Sequence, residues 1–491
     1  MVATARDERE DERAQDETAR EGAPAPLRLS VTEARGLMLA AQGLLEPPAG
    51  APELAHVQAT IERLGAVQID TISVVARSQY LVLWSRLGRY DPALLDALLA
   101  PRRAIFEYWS HAASILPMTD FAYYQAEMVH APEWHLYEGT RRWAEEHPDV
   151  VRDTLAAIRE RGPLASAAFE RPEGAPRTDP WDWYGPKESR VALDVLWLTG
   201  ELMVHSRRSG QKVYDLRARV LAEAAAAGTV PGGAARAEAL PGHEQRLRHF
   251  VGRTVRALGV VTPGWLWDYF RLQRYLRVER LPGASASAAE DSAGGPGGAG
   301  TGGVGTANAG RARALLEAQV AAGLAVPARI AGLVEPAYVA VERLADLERL
   351  RAGAVRPERT TLLSPFDSLI WDRKRTRQLF GYEVVFEAYV APEKRRFGYY
   401  CLAILYRAEL VGRLDAKALR DEGALLVRAV YLEPGVVVED GLLEGLAGAL
   451  WDLARFQGLA EVRVERTTPP GLARRLTARI ARAPGRVRRR R

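Results

Sequence analysis

One segment limits the possible folds more than any other. Residues 187–198 have the apolar spacing of a helix, Gly200 stops it, and GELMVHSRRSGQKVYDL then reads as two short strands around a Ser209-Gly210 turn. A helix delivered into a β-hairpin is the closing half of a winged helix. Arg207, Arg208 and Lys212 fall at the hairpin tip, where a wing would contact nucleic acid, although basic hairpin tips are also common on other soluble proteins.

Similar order can be traced on both sides. Upstream, Ser30-Val31-Thr32-Glu33 is a capping box opening a helix with Ala34, Leu37, Ala41 and Leu44 on one side. A second helix carries Val57, Ile61 and Leu64 and stops at Gly65. A short extended piece, 67–70, leads to a helix through about Leu87, and Asp91-Pro92 caps another. Downstream, EQRLRHFVGRTVRALGVVTPGWLWDYFRLQRYL gives a long helix, a stop at Gly259 and a shorter helix after Thr262-Pro263. The run from 283 to 310 is too rich in Gly, Ala and Ser to offset its ordering entropy. It reads as an insertion, because ARALLEAQVAAGLAVPARIAGLVEPAYV then supplies the missing helix, strand and wing. After SPFDSLIWDRKRTRQLFG the character changes. YEVVFEAYV, FGYYCLAILY, ELVGRL and ALLVRAVYL are β-type runs, and a helix with Leu442, Leu446, Leu450 and Leu453 packs on them and ends at Gly458.

The expected fold class is therefore α+β: tandem winged-helix modules followed by an antiparallel β-rich domain, a sheet or small barrel. The expected organisation is a disordered tail over 1–28, modules over 29–145, 146–240 and 241–355 (the last carrying the disordered insertion 283–310), a β-rich domain over 356–468 and a basic tail over 469–491.

The chemistry concentrates at Gln68-Ile69-Asp70. In an extended segment this spacing points Gln68 and Asp70 to the same side and turns Ile69 into the body. An amide beside a carboxylate can hold and polarise one water, which is minimal equipment for hydrolysis without a metal. The alternatives are a solvated pair, or Asp70 capping the helix that follows. Composition narrows the remaining classes. There is one cysteine, Cys401, and the eight histidines are scattered without metal-ligand spacing; His130 and His135 read as surface or packing residues. No Walker loop and no dinucleotide fingerprint occur, so neither a cofactor nor a metal is expected. No apolar run approaches the roughly 20 residues of a membrane span, and the charged N-terminus lacks a signal peptide's apolar stretch, so a cytoplasmic monomer is expected. The net charge of +5 is modest, but RRLTARIARAPGRVRRRR at the far end suits a polyanion.

The ordered series LGAVQIDTISVVARSQYLVLWSRLG, FEYWSHAASILP, GELMVHSRRSGQKVYDL, DYFRL and SPFDSLIWDRKR resembles the winged-helix DNA glycosylases of the AlkZ/YcaQ family, from about Leu29 to about Glu465. The resemblance implies three winged-helix modules and a β-rich domain in a C around a DNA channel. It implies that Gln68 and Asp70 are the catalytic pair of the Q-x-D, YcaQ-like branch. It further implies a monofunctional hydrolase of alkylated purines with N7-type adducts, including unhooking of interstrand crosslinks, acting on double-stranded DNA.

The implied chemistry fits the residues. Alkylation at N7 makes the purine a good leaving group, so Asp70 as an anion would stabilise an oxocarbenium-like sugar and act as general base, with Gln68 orienting the water. Trp109 and His111 lie in the matched FEYWSHAAS segment as substrate-binding candidates, with packing as the other reading of His111. Arg77 lies about two helical turns after Asp70, which would let it face the same channel. Arg373, Lys374 and Arg375 are candidate phosphate contacts. Two competing readings are a winged-helix DNA-binding regulator without catalysis, and a nuclease, for which Asp367 and Asp372 form the only tempting acidic pair.

Overall fold

The computed structural model describes residues 25–48, 50–129, 138–169, 188–230, 240–273 and 306–482. The first 24 residues, the glycine-rich stretch up to 305, the end from 483 onward and the His130/His135 pair lie outside the described residues. The last five residues assigned to the insertion, 306–310, open a helix, Thr306–Ala321.

One order of elements occurs three times. A helix (Leu54–Leu64) is followed by a two-residue strand (Val67–Gln68), helices Ser78–Leu87 and Ala93–Leu99, and a hairpin of Ile105–Trp109 and Ala113–Pro117. In the second set, helix Pro148–Arg161 and strand Leu164–Ala165 precede helix Glu188–Leu198 and the hairpin Leu202–Arg208/Gln211–Leu216. In the third, His243–Leu258, Val260–Val261, Pro263–Leu266 and Thr306–Ala321 lead to Ala325–Ile330/Ala337–Ala340. Each short strand pairs with the second hairpin strand, so all three sheets share one strand order. The result is the mixed helix-and-sheet fold with antiparallel hairpins that the sequence suggested.

Local chemistry explains the joints. Val57, Ile61 and Leu64 bury one stripe of the Leu54–Leu64 helix, and Gly65 ends it with φ +71, a conformation that costs glycine little. A Cβ there would come within 2.9 Å of Phe270, so the third module packs against that stop. Ser30 and Glu33 form the expected capping box. The strand before it, Leu27–Leu29, pairs in parallel with Ala325–Ile330 and completes the third module's sheet, so the expected disordered tail does not extend to residue 28.

The C-terminal sheet has the order Thr360–Leu363, Cys401–Tyr406, Glu409–Leu419, Ala424–Leu432, Glu461–Thr468. Its first three pairings are antiparallel. The last is parallel, because the Asp440–Phe456 helix carries the chain back along the sheet before the final strand. That helix buries Leu442, Leu446, Leu450 and Leu453 as expected.

Two expectations fail here. YEVVFEAYV forms no strand. The Glu387 carboxylate accepts the backbone N–H groups of Arg396, Phe397 and Gly398 at 2.7, 2.8 and 3.2 Å, which folds the segment into a stapled loop, while Phe386 packs on Phe366 and Tyr400. The region after 469 is not all tail: Leu472–Arg482 is a helix whose Leu472, Leu476 and Ile480 form a buried stripe. Trp451 Nε1 donates to the Ile480 carbonyl at 2.9 Å, and Arg479 pairs with Asp440 and Glu444. Among the described residues no helix is long and apolar enough to cross a membrane.

Candidate active site

The triplet sits on the edge of the first module's sheet. Val67 pairs with Ile115 and Gln68 with Ser114, and Ile69 N–H donates to the Ala113 carbonyl at 2.8 Å. Continuing that register brings Asp70 level with Ala112, beside the hairpin turn that carries His111. Val67 is buried, whereas Gln68, Ile69 and Asp70 are half-buried, with Ile69 packed against the core. Asp70 does not cap a helix. Its Oδ1 accepts the Ile72 N–H at 2.6 Å, and the next helix starts only at Ser78. Among the described residues the Gln68 amide and Asp70 Oδ2 have no hydrogen-bonding partner, so both are open to a water or a sugar. Burial raises the Asp70 pKa above the ordinary aspartate value, and the Ile72 hydrogen bond opposes it only in part.

The loop beyond the triplet is tied to the C-terminal sheet. Val74 O accepts the Ala418 N–H at 3.0 Å and Val75 O accepts from Arg420 at 2.7 Å. A buried hydroxyl chain, Ser78–Ser364–Tyr400, crosses the same junction with 2.9 Å at each link. Residues 71–77 are not helical, so the helical-turn argument that aimed Arg77 along Asp70 fails. Arg77 is the N-cap residue of the Ser78–Leu87 helix, and its guanidinium donates to the Gly210 carbonyl at 3.3 Å.

His111 is where three of the quoted motifs meet. Its ring stacks on Trp371 with centroids 4.0 Å apart and planes 2° from parallel. Its Nδ1 lies 3.1 Å from the Asp268 carbonyl, and Arg271 Nη2 lies 3.3 Å from its Nε2. A carbonyl only accepts and a guanidinium only donates, so Nδ1 carries the proton and Nε2 offers its lone pair. Burial and the Arg271 charge lower the pKa to about 3, so the imidazole is neutral at working pH. Tyr269 packs on Trp371 and donates to the Leu64 carbonyl at 2.9 Å. Trp109 is half-buried against the core at the end of its strand.

The acidic pair considered for a nuclease already has structural partners. Asp367 is fully buried and holds Arg86 through both guanidinium nitrogens, the Nη2–Oδ1 bond being 2.8 Å. Asp372 caps the Arg373–Phe380 helix by accepting the Arg375 N–H at 3.0 Å. Arg375 itself is buried and donates to the Ser368 carbonyl at 2.7 Å, whereas Arg373 and Lys374 are exposed, Lys374 being 3.8 Å from Glu335.

The second hairpin turns at Ser209 (φ +49) and Gly210 (φ +80), as its sequence suggested. Its cations do not share one environment. Arg207 makes a two-pronged pair with the buried Glu107 at 2.6 and 2.7 Å. Lys212 Nζ sits 3.5 Å over the Trp197 ring, where burial lowers its pKa. Of the three, Arg208 alone is exposed. Sequence reasoning missed the roles of Arg271 and Trp371; both stood in quoted motifs, but only tertiary structure brings those motifs to one ring.

The sequence model of the DNA glycosylase AlkZ-like family matches residues 61–293 and 301–456. The chain belongs to the AlkZ-like DNA glycosylase family. Among solved structures, this glycosylase is similar to the Streptomyces sahachiroi DNA glycosylase AlkZ, with a TM-score of 0.52 and 16% sequence identity; the alignment covers 89% of this chain and 100% of that one. At that identity the likeness speaks for the fold, which carries the triplet on the first of its three repeated sheets.

Proposed function

We propose that this glycosylase hydrolyses the N-glycosidic bond of N7-alkylated purines in duplex DNA, interstrand crosslinks included, and leaves an abasic site. The observation that carries the reading is the state of the triplet. Gln68 lies on a sheet edge with Asp70 two residues on, just past the strand's end, and the Gln68 amide and Asp70 Oδ2 lack hydrogen-bonding partners among the described residues. Asp70 Oδ2 takes a proton from the attacking water while the carboxylate faces the developing positive charge of the sugar, and Gln68 orients that water. An N7-alkylated purine already carries positive charge, so it departs without a strong general acid. The triplet is half-buried rather than sealed, which suits a base tethered to the opposite strand. Arg208, Arg373 and Lys374, all exposed, are the phosphate contacts in this reading, and the enzyme works as a cytoplasmic monomer.

The test is a duplex with a single N7-methylguanine, incubated with the enzyme in EDTA. Free methylated base and an alkali-labile, un-nicked strand are expected. A nick before alkali treatment would indicate a lyase. No released base would reduce the chain to a DNA-binding role.

A further inference from the structure

We propose that Arg271 grips a phosphate of the damaged strand beside the target nucleotide, and that His111 is the positioning residue that aims it. The proposal rests on the reading of the triplet given above and adds a contact to it. Arg271 has φ +53, a left-handed backbone that a residue with a Cβ adopts at a cost. Its side chain lies against the turn of the first module's hairpin. There Nη1 donates to Asp268 Oδ1 at 2.9 Å, Nε to the His111 carbonyl at 3.3 Å and Nη2 to His111 Nε2 at 3.3 Å. Three of the five guanidinium N–H donors are thereby engaged among the described residues, and the side chain remains 48% exposed. The remaining two N–H groups, one on each Nη, are available to an oxygen acceptor such as a phosphate.

The location follows from register. Gln68 pairs with Ser114, Ile69 N–H reaches the Ala113 carbonyl, and Asp70 falls level with Ala112, the residue next to His111. The fork that His111 supports therefore sits at the turn of the hairpin whose second strand pairs with Gln68, on the side of the module that carries the triplet.

His111 can support it only in one form. Its Nδ1–H is committed to the Asp268 carbonyl, and its Nε2 lone pair receives Arg271. Stacking on Trp371 fixes the ring plane, so the acceptor direction is fixed as well. A protonated ring would turn an N–H toward the guanidinium, and burial keeps that form away. Asp268 neutralises part of the Arg271 charge, but it also removes one freedom of the fork, which favours a single phosphate over diffuse attraction.

The competing role is a strut that only joins the third module to the wing. To separate the two, the full chain is titrated by anisotropy with duplexes holding one stable abasic-site analogue, and each nearby phosphate in turn is replaced by an uncharged methylphosphonate. With the wild type, replacement at one position within about two nucleotides of the analogue should weaken binding about tenfold. Arg271→Ala should be insensitive at that position and respond like wild type elsewhere, and its slope of log K against log salt should be flatter by about 0.9. Arg271→Lys should keep the slope but lose the positional effect, and it carries the test should the alanine variant fold poorly. His111→Phe, which can still stack on Trp371 but offers no acceptor, should lose the positional effect too. Additive losses at every position, or an unchanged slope for Arg271→Ala, would overturn the proposal. So would a wild-type response from His111→Phe, as far as positioning is concerned. Excision of N7-methylguanine is read separately. A chain that excises normally but shows additive losses loses this proposal and keeps its function, and the converse result does the opposite.

Discussion

The hairpins at 105–117 and 202–216 occupy the same place in the same topology, yet they do different work. The first is turned inward. Its second strand pairs with the triplet, and its turn docks His111 between Asp268, Arg271 and Trp371. The second braces the first, because Arg207 reaches Glu107 on the strand Ile105–Trp109; Trp197, on the helix before the second hairpin, adds a hydrogen bond from its Nε1 to the Glu107 carbonyl at 3.1 Å. A repeated topology therefore dictates where a wing lies, while its partners decide whether its charges meet a ligand or another wing.

The sharpest way to test the first wing is at the residue it presents. Asp70→Asn should lower single-turnover excision by roughly 10²–10⁴ with DNA binding nearly unchanged, since it removes the group that the proposed mechanism uses as both base and anion. A wild-type rate would take Asp70 out of the mechanism. The pH profile gives a second reading of the same group. In the proposed mechanism Asp70 acts as the anion, and burial raises its pKa. Activity should therefore fall as pH drops through a value above that of an ordinary aspartate, and a limb at or below the ordinary value would contradict the burial seen here.

The brace can be broken separately. Glu107→Ala leaves Arg207, whose side chain is 13% exposed, without its carboxylate, and should cost about 3 kcal/mol in urea denaturation. Arg207→Met combined with Glu107→Gln should recover most of that loss, because no unpaired charge stays buried. Equal losses in the single and double variants would mean that the two side chains are not energetically coupled.

These contrasts also mark what could be read from the sequence. Local signals worked. Gly65, Gly200 and Gly259 end helices, Ser209-Gly210 turns a hairpin, and the run after residue 310 resumes the third module's pattern, so the repeated order was legible despite the glycine-rich interruption. That Gln68 lies on an extended strand was legible for the same reason, since it needs only two residues of strand, Val67 and Gln68; Asp70 falls just beyond it. What failed depends on distant partners. Arg207 and Glu107 are a hundred positions apart, so the hairpin's basic tip looked available. Asp70 seemed to precede a helix, but an Asx turn onto Ile72 delays it to Ser78 and sends Arg77 to Gly210. The aromatic run 382–390 has strand composition, yet Glu387 folds it into a loop by accepting three backbone donors. The parallel last strand depends on a helix crossing the sheet, and arginine density concealed the spacing of Leu472, Leu476 and Ile480.

The smallest expected effect separates the cations of the second wing. Arg208→Ala should weaken binding to damaged and undamaged duplex alike and flatten the slope of log K against log salt by about 0.9, as one lost phosphate contact does. Lys212→Met should leave that slope unchanged, because its ammonium lies against Trp197 and releases no counterion from DNA. Arg207 is committed to Glu107 and should behave likewise. Changing all three to alanine should therefore flatten the slope no more than Arg208→Ala does, measured by anisotropy across a salt series. A change about three times as large would show that the wing gives up its brace when DNA binds. In that case the two hairpins would differ only in the free protein, and the DNA channel would include both.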